Sequence, residues 1–170
     1  AAFIMDHFDS AINEYENQKD PSVEKSAEKS SRNLTASIIK NLLSDVEDEC
    51  PEGLQKMVAN QFEILSFSDK IFAIARLAKN SEDAFPFELL ISIEANPEEL
   101  NNYGNSHSLR KIAEELSIRN PQSKEAVQWF IKEFERFDHE LQVATVEFLI
   151  TPENVRSFTE QAINSISLGY

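Results

Sequence analysis

Hydrophobic residues recur with helical spacing along most of this chain, and the pattern is most regular between residues 108 and 162. Two helix–turn–helix patterns follow each other there, with turns at Asn120-Pro121 and Thr151-Pro152. Apolar residues at i, i+3, i+4 and i+7 lie on one face of each helix. These faces are formed by Leu109, Ile112, Ala113 and Leu116, by Val127, Phe130, Ile131 and Phe134, by Leu141, Ala144, Thr145 and Phe148, and by Val155, Phe158, Thr159 and Ala162. Because one hairpin cannot bury such faces alone, the pattern predicts that the two hairpins stack.

Upstream of these hairpins the spacing predicts further helices. One ends at Cys50-Pro51, because a proline biases the residue before it away from the helical conformation. Another spans 69–79, with Ser68 as its N-cap. Residues 87–93 are predicted as a helix, with a buried strand as the alternative, and residues 101–106 are predicted as a loop.

The N-terminal stretch before Asn33 separates into an apolar and a polar part. Residues 1–18 are predicted to carry an arm helix, and residues 19–32 are the most polar stretch of the chain. This stretch is either a solvated helix or a mobile connection, because its like charges at i, i+4 do not favour a helix. The sequence as a whole predicts a single all-α domain over 1–170, with about 8–10 helices.

The helical pattern also repeats along the chain. Three other apolar sets have the same internal spacing as Leu109, Ile112, Ala113 and Leu116. Two lie upstream, Ile71, Ile74, Ala75 and Ala78 and, further back, Thr35, Ile38, Ile39 and Leu42; the third, from Leu141 to Phe148, lies downstream. Successive sets are offset by roughly 32 to 38 positions with a second apolar helix between them, which is typical of stacked two-helix repeats. In this respect residues 33–165 resemble HEAT-like α-solenoid proteins, which implies stacked antiparallel helical hairpins. An irregular multi-helix bundle gives similar spacings and is the alternative.

Charge narrows the classes of partner. The 170 residues include 30 acidic and 16 basic side chains, for a net charge of −14. No basic cluster interleaves with aromatic residues, so the sequence predicts no nucleic-acid binding and favours a protein partner with a basic surface. No apolar run approaches the roughly 20 residues that span a bilayer, so membrane insertion is not expected.

Cys50 is the only cysteine, which excludes an intramolecular disulfide and fits a reducing compartment. The first residues lack the basic region of a signal peptide. The chain begins at Ala1 rather than methionine, which favours a part of a longer protein. A cytoplasmic location is therefore predicted, or the cytosol of a host cell if the protein is a secreted effector.

The sequence contains no recognisable catalytic or cofactor motif. His7, His107 and His139 are far apart, and no phosphate-binding glycine loop, zinc-protease motif or nucleophile elbow is present. The acidic run of Asp45, Glu47, Asp48 and Glu49 lacks the spacing and central glycine of a calcium-binding loop. We therefore predict no catalytic residues, no bound metal and no cofactor.

The favoured function is a non-enzymatic protein–protein interaction module, such as a helical-repeat scaffold or adaptor. The candidate contact residues are Trp129, Tyr103 and His107, together with the acidic run Asp45, Glu47, Asp48 and Glu49. Tryptophan and tyrosine are enriched in binding hot spots; the alternative for Trp129 is packing against a neighbouring helix. Two other functions remain open: an acidic chaperone, regulator or effector linked to a bacterial secretion pathway, and an enzyme whose site assembles only in three dimensions.

Overall fold

The computed structural model describes residues 21–47, 49–80, 83–119 and 122–168. Over these residues the chain is all-α, as predicted, with nine α-helices and no strand. The helices are α1 (Pro21–Ser44), α2 (Glu52–Gln61), α3 (Phe67–Asn80), α4 (Phe85–Ile91), α5 (Pro97–Leu100), α6 (Tyr103–Ile118), α7 (Lys124–Glu133), α8 (His139–Leu149) and α9 (Val155–Leu168). The predicted arm helix within residues 1–18 lies outside the described residues.

The packing contacts group the chain into two compact units, 1–80 and 81–170. We call them the N-terminal and C-terminal units. In the N-terminal unit, α1 packs against α3 and α2. The predicted inward residues of α3 are buried, and on α1 the buried stripe is Thr35, Ile39 and Leu43. Ile38 and Leu42, which were predicted to face inward, are only half-buried. The stripe that faces α3 consists instead of Thr35, Ile39 and Leu43, which are four positions apart.

The polar stretch is helical where the structure describes it, since residues 21–32 form the first half of α1. The end of α1 differs from the prediction. It lies at Ser44 rather than at Cys50-Pro51. The Arg76 guanidinium donates hydrogen bonds to the Leu43 carbonyl at 3.2 and 3.1 Å and to the Ser44 carbonyl at 2.9 Å. Arg76 thereby satisfies the Ser44 carbonyl and adds to the Val46 N–H that the Leu43 carbonyl accepts at 3.4 Å, so the helix can end before the proline.

The N-cap of α3 also differs from the prediction. The Ser66 hydroxyl accepts a hydrogen bond from the Asp69 backbone N–H at 3.2 Å and donates one to the Asp69 carboxylate at 2.9 Å. Ser68, the predicted cap, lies inside the helix. Both serines are good caps locally, and the one that precedes the first helical residue, Phe67, is used.

In the C-terminal unit the apolar run from residue 85 is helical rather than a strand. The predicted loop over 101–106 is wrong for most of its length, because α6 begins at Tyr103. The Asn102 side chain accepts the Gly104 N–H at 3.1 Å and so caps the helix. Asn105 is buried and donates to the Glu99 carbonyl at 2.8 Å. A polar, asparagine-rich sequence is helical here because its side chains satisfy backbone groups at the junction of α5 and α6.

The main helix pair in the C-terminal unit is α6 with α8, and α7 packs against α4 and α9. The predicted inward face of α6, from Leu109 to Leu116, is fully buried. The Phe134 ring lies 4.8 Å from that of Phe158, and Gln161 donates to the Ile131 carbonyl at 2.8 Å. The later residue of α9, Gln161, thus contacts the earlier Ile131, and the earlier Phe158 contacts the later Phe134. The helix α9 therefore runs antiparallel to α7. The predicted inward residues Val155 and Thr159 of α9 are exposed.

One local motif recurs in the two units. In each copy a helix of 10 residues continues into a short 3-10 helix: α2 into Phe62–Ile64, and α7 into Phe134–Arg136. An extended residue and a capping Ser66 or Asp138 then lead into the next helix. The first copy of this motif begins with α2 in the N-terminal unit and the second with α7 in the C-terminal unit.

Candidate partner-binding site

The acidic run predicted as a docking patch lies in the connection between α1 and α2. Asp45, Glu47 and Glu49 are exposed, and Asp48 lies outside the described residues. No group of three or more His, Cys, Asp or Glu residues suited to a metal ion occurs in the part of the chain that the structure describes. Next to the run, Lys56 donates to Glu52 at 2.7 Å, and this hydrogen bond lowers the pKa of Glu52. Asp45, Glu47 and Glu49 present solvated carboxylates.

Trp129 is a packing residue rather than an exposed anchor. Its side chain is only 6% exposed. The indole Nε1–H donates to the Ile93 carbonyl at 3.2 Å, just after α4. The ring makes an edge contact with Phe130 at a centroid distance of 5.3 Å and lies 6.3 Å from Phe137. These contacts hold α7 against the end of α4, which is the packing alternative that the sequence left open.

Tyr103 and His107 lie one helical turn apart on α6, and both line a small cleft. Tyr103 is 83% exposed. This α6–α8 cleft has a volume of about 140 Å³ and is completed by Ser106, Arg110, Asp138, Glu140 and Leu141. The structure thus joins two of the predicted residues with two acidic residues from the start of α8. The Asp138 carboxylate is already engaged, since it accepts the Leu141 N–H at 2.8 Å and caps α8.

A larger groove lies at α7. This α7 groove has a volume of about 610 Å³ and is lined by Ile91, Lys124, Glu125, Gln128, Trp129, Lys132 and Gln161. It contains only C-terminal-unit residues, contributed by α4, α7 and α9. Trp129 lines the groove although it is only 6% exposed, whereas Ile91 is 42% exposed. The groove therefore combines apolar surface with polar and charged side chains.

The charge of the α7 groove differs from that of the unit around it. Residues 81–170 contain sixteen acidic and seven basic side chains, yet the groove is lined by two lysines and one glutamate. Among the described residues, neither Lys124 nor Lys132 forms an ion pair. The groove is thus locally basic on an acidic protein.

Sequence reasoning found one residue of this groove, Trp129, and missed the others. A usable signal was present, because Lys124, Gln128 and Lys132 follow each other at i, i+4 and i+8 on one stripe of α7. No local pattern indicated that this stripe would lie beside Ile91 and Gln161. Ile91 lies more than thirty residues before Lys124, and Gln161 lies more than thirty residues after Gln128.

No protein-family model, curated protein or solved structure matches this chain. Among the helices that the structure describes, none is both long and apolar enough to cross a membrane.

Proposed function

We propose that this chain is a helical protein-binding module, which holds a segment of a partner protein in the α7 groove. The observation that carries the proposal is the groove itself: an open groove of about 610 Å³ with apolar residues beside two lysines. Protein-binding sites combine an apolar centre with a polar rim. Amphipathic segments dock in grooves between helices in many such complexes. The stacked-hairpin architecture expected from the sequence repeats would suit a scaffold or adaptor role.

The floor of the groove supports this function because it is held in place. The Nε1–H of Trp129 is anchored on the Ile93 carbonyl, and its ring lies against Phe130 and Phe137. A surface that is rigid before binding loses little conformational freedom when a partner docks. Exposed Ile91 supplies apolar area next to this floor that a partner could cover.

The α6–α8 cleft gives weaker support for an enzyme. Its volume of about 140 Å³ lies below the roughly 300–1,000 Å³ of common small-molecule sites. Asp138, which lies within the cleft, serves as a helix cap. A partner with a basic surface would instead meet the exposed carboxylates of Asp45, Glu47 and Glu49.

Selection of peptides from a random displayed library against the whole chain tests the proposed function. Selected peptides are expected to bind at least about tenfold more weakly to Ile91→Arg, because the guanidinium would obstruct the groove; tenfold corresponds to about 1.4 kcal/mol. Ile118→Arg is the matched control, since Ile118 is 73% exposed and lies in the same unit outside the groove lining. Fluorescence anisotropy gives the affinities, and circular dichroism confirms that both variants are folded.

Two outcomes would contradict the proposed function. One is a selection that yields no binding peptide. The other is a set of peptides whose affinity is unchanged by Ile91→Arg, or is reduced equally by Ile118→Arg. Either result would mean that the α7 groove is not a recognition surface.

A further inference from the structure

We infer that the segment held in the α7 groove is an amphipathic α-helix of another protein, with two carboxylates about two turns apart and an apolar side chain between them. This inference rests on the proposed function and specifies the chemistry of the partner. It is argued from the spacing of the groove lysines, their lack of ion-pair partners and the apolar surface between them.

The two lysines set the spacing of the partner's charges. Lys124 and Lys132 are eight residues apart on the same helix, which corresponds to about 12 Å along the axis at 1.5 Å per residue. Gln128 lies midway between them, so the three side chains form one stripe facing the groove. A helix lying along α7 presents residues at i, i+4 and i+8 on one face with the same spacing. Carboxylates at i and i+8 would therefore meet both lysines.

The charges that line the groove favour an acidic partner there. Each groove lysine is without an ion-pair partner among the described residues, although acidic residues outnumber basic ones in the unit by more than two to one. The excess of carboxylates disfavours non-specific binding of an acidic segment to the unit. Glu125, the single acid of the groove lining, reduces this preference without reversing it. Such complementarity contributes to specificity and association rate more than to affinity.

The middle of the partner segment is apolar because the groove surface there is apolar. Ile91 and the edge of Trp129 lie in the same groove as Gln128. An aliphatic side chain at i+4 of the partner would cover them, and burial of apolar surface contributes roughly 25 cal/mol per Å². The long aliphatic stems of the two lysines can pack along the same side chain while their ammonium groups reach the carboxylates.

A helical partner suits the groove better than an extended one. The groove is formed by residues of three helices, whose backbone groups are used within the helices, so it offers no free sheet edge. An extended segment would leave its own backbone N–H and C=O groups without partners where it is desolvated. A helix satisfies these groups internally and presents only side chains, as in other helix-in-groove complexes.

The test uses a designed helical peptide and two pairs of charge reversals in the whole chain. The probe is a fluorescein-labelled, alanine-based peptide of about 15 residues, the length at which isolated helices become marginally stable. It has Glu at i and i+8 and Leu at i+4; one comparison peptide has Lys at both Glu positions, and another has Ser at i+4. The groove variant is Lys124→Glu/Lys132→Glu. The control variant is Lys79→Glu/Lys111→Glu, which makes the same charge change at two exposed lysines outside the groove lining.

The acidic peptide is expected to bind the wild-type chain at least about tenfold more tightly than the Lys peptide or the Ser peptide at 0.1 M salt, where the Debye length is about 10 Å. Lys124→Glu/Lys132→Glu should remove this difference, and Lys79→Glu/Lys111→Glu should leave it within about twofold. At 1 M salt, where the Debye length is about 3 Å, the difference should shrink. The library-selected peptides should likewise carry acidic residues eight positions apart around an apolar residue.

The inference is overturned if the acidic peptide binds no better than the Lys peptide, or if both charge-reversal pairs weaken it equally. It is also overturned if the library peptides that depend on Ile91 are basic or uncharged, and in that case the proposed function still stands. If no peptide depends on Ile91, the proposed function and the inference fail together.

Discussion

Trp129→Ala is expected to destabilise the C-terminal unit by about 3–5 kcal/mol, the usual range for removing a buried large aromatic side chain. The substitution removes a side chain that is only 6% exposed. It deletes the ring contacts with Phe130 and Phe137 and leaves the Ile93 carbonyl without its hydrogen bond. Because whole domains are stable by about 5–15 kcal/mol, this loss is a large share of the total.

Trp129→Phe separates the two contributions. A phenylalanine keeps most of the ring packing but has no N–H, so the Ile93 carbonyl loses its partner at 3.2 Å. An unsatisfied buried polar group costs about 1–3 kcal/mol, and we expect Trp129→Phe to fall in that range. The difference between the two variants then measures the contribution of the rings.

Urea denaturation followed by far-ultraviolet circular dichroism measures these changes, since both variants lack the only tryptophan of the chain. Tyr103→Ala is the control, because Tyr103 is 83% exposed and surface substitutions usually change stability by less than about 0.5 kcal/mol. A change below about 0.5 kcal/mol for Trp129→Ala would refute the packing role and restore Trp129 as a surface anchor. The expected result instead makes Ile91, and not Trp129, the residue to substitute in binding experiments.

The remaining predictions concern the N-terminal unit. Arg76→Ala should destabilise it by about 1.5–3 kcal/mol, the range for hydrogen bonds to charged groups. The Ser44 carbonyl at the end of α1 loses the guanidinium donor, and the Leu43 carbonyl keeps only the Val46 N–H. Arg76→Lys should recover part of this stability in urea denaturation, and no loss in Arg76→Ala would contradict the capping role. Burial raises the pKa of the Cys50 thiol, so the unfolded chain loses this proton first as the pH rises. The free energy of unfolding should therefore fall above about pH 8.5, the ordinary thiol pKa, more steeply in the wild type than in Cys50→Ala; equal slopes in urea titrations at about pH 7 and pH 9.5 would refute this.

The existence of the helices and most of their inward faces follow from the sequence. The residues Leu109, Ile112, Ala113 and Leu116 are all fully buried, as their spacing predicted. A helix is built from contacts between residues three and four apart, so its apolar face is encoded locally. The ends of helices are less well determined, because several residues compete to satisfy the same backbone groups. Ser66 rather than Ser68 caps α3, and Asn102 caps α6 within a predicted loop.

The end of α1 shows where local information fails. The sequence around Cys50-Pro51 suggested a stop at the proline, yet the helix ends at Ser44. The side chain that donates to its Leu43 and Ser44 carbonyls is that of Arg76, more than thirty residues later. A hydrogen bond between distant residues leaves no periodic signal near either of them.

The candidate site depended on tertiary structure for the same reason. The sequence could place Tyr103 and His107 near each other, but only the packing of α6 on α8 brought Asp138 and Glu140 beside them. Trp129 looked like a contact anchor until its ring was seen against Phe130 and its N–H on Ile93. Lys124 and Lys132 were visible as a stripe on one helix, and they became part of a groove only because Ile91 and Gln161 pack beside that helix. Periodicity along the chain determines which face of a helix is apolar, whereas the packing of distant helices determines which polar side chains share a concave surface.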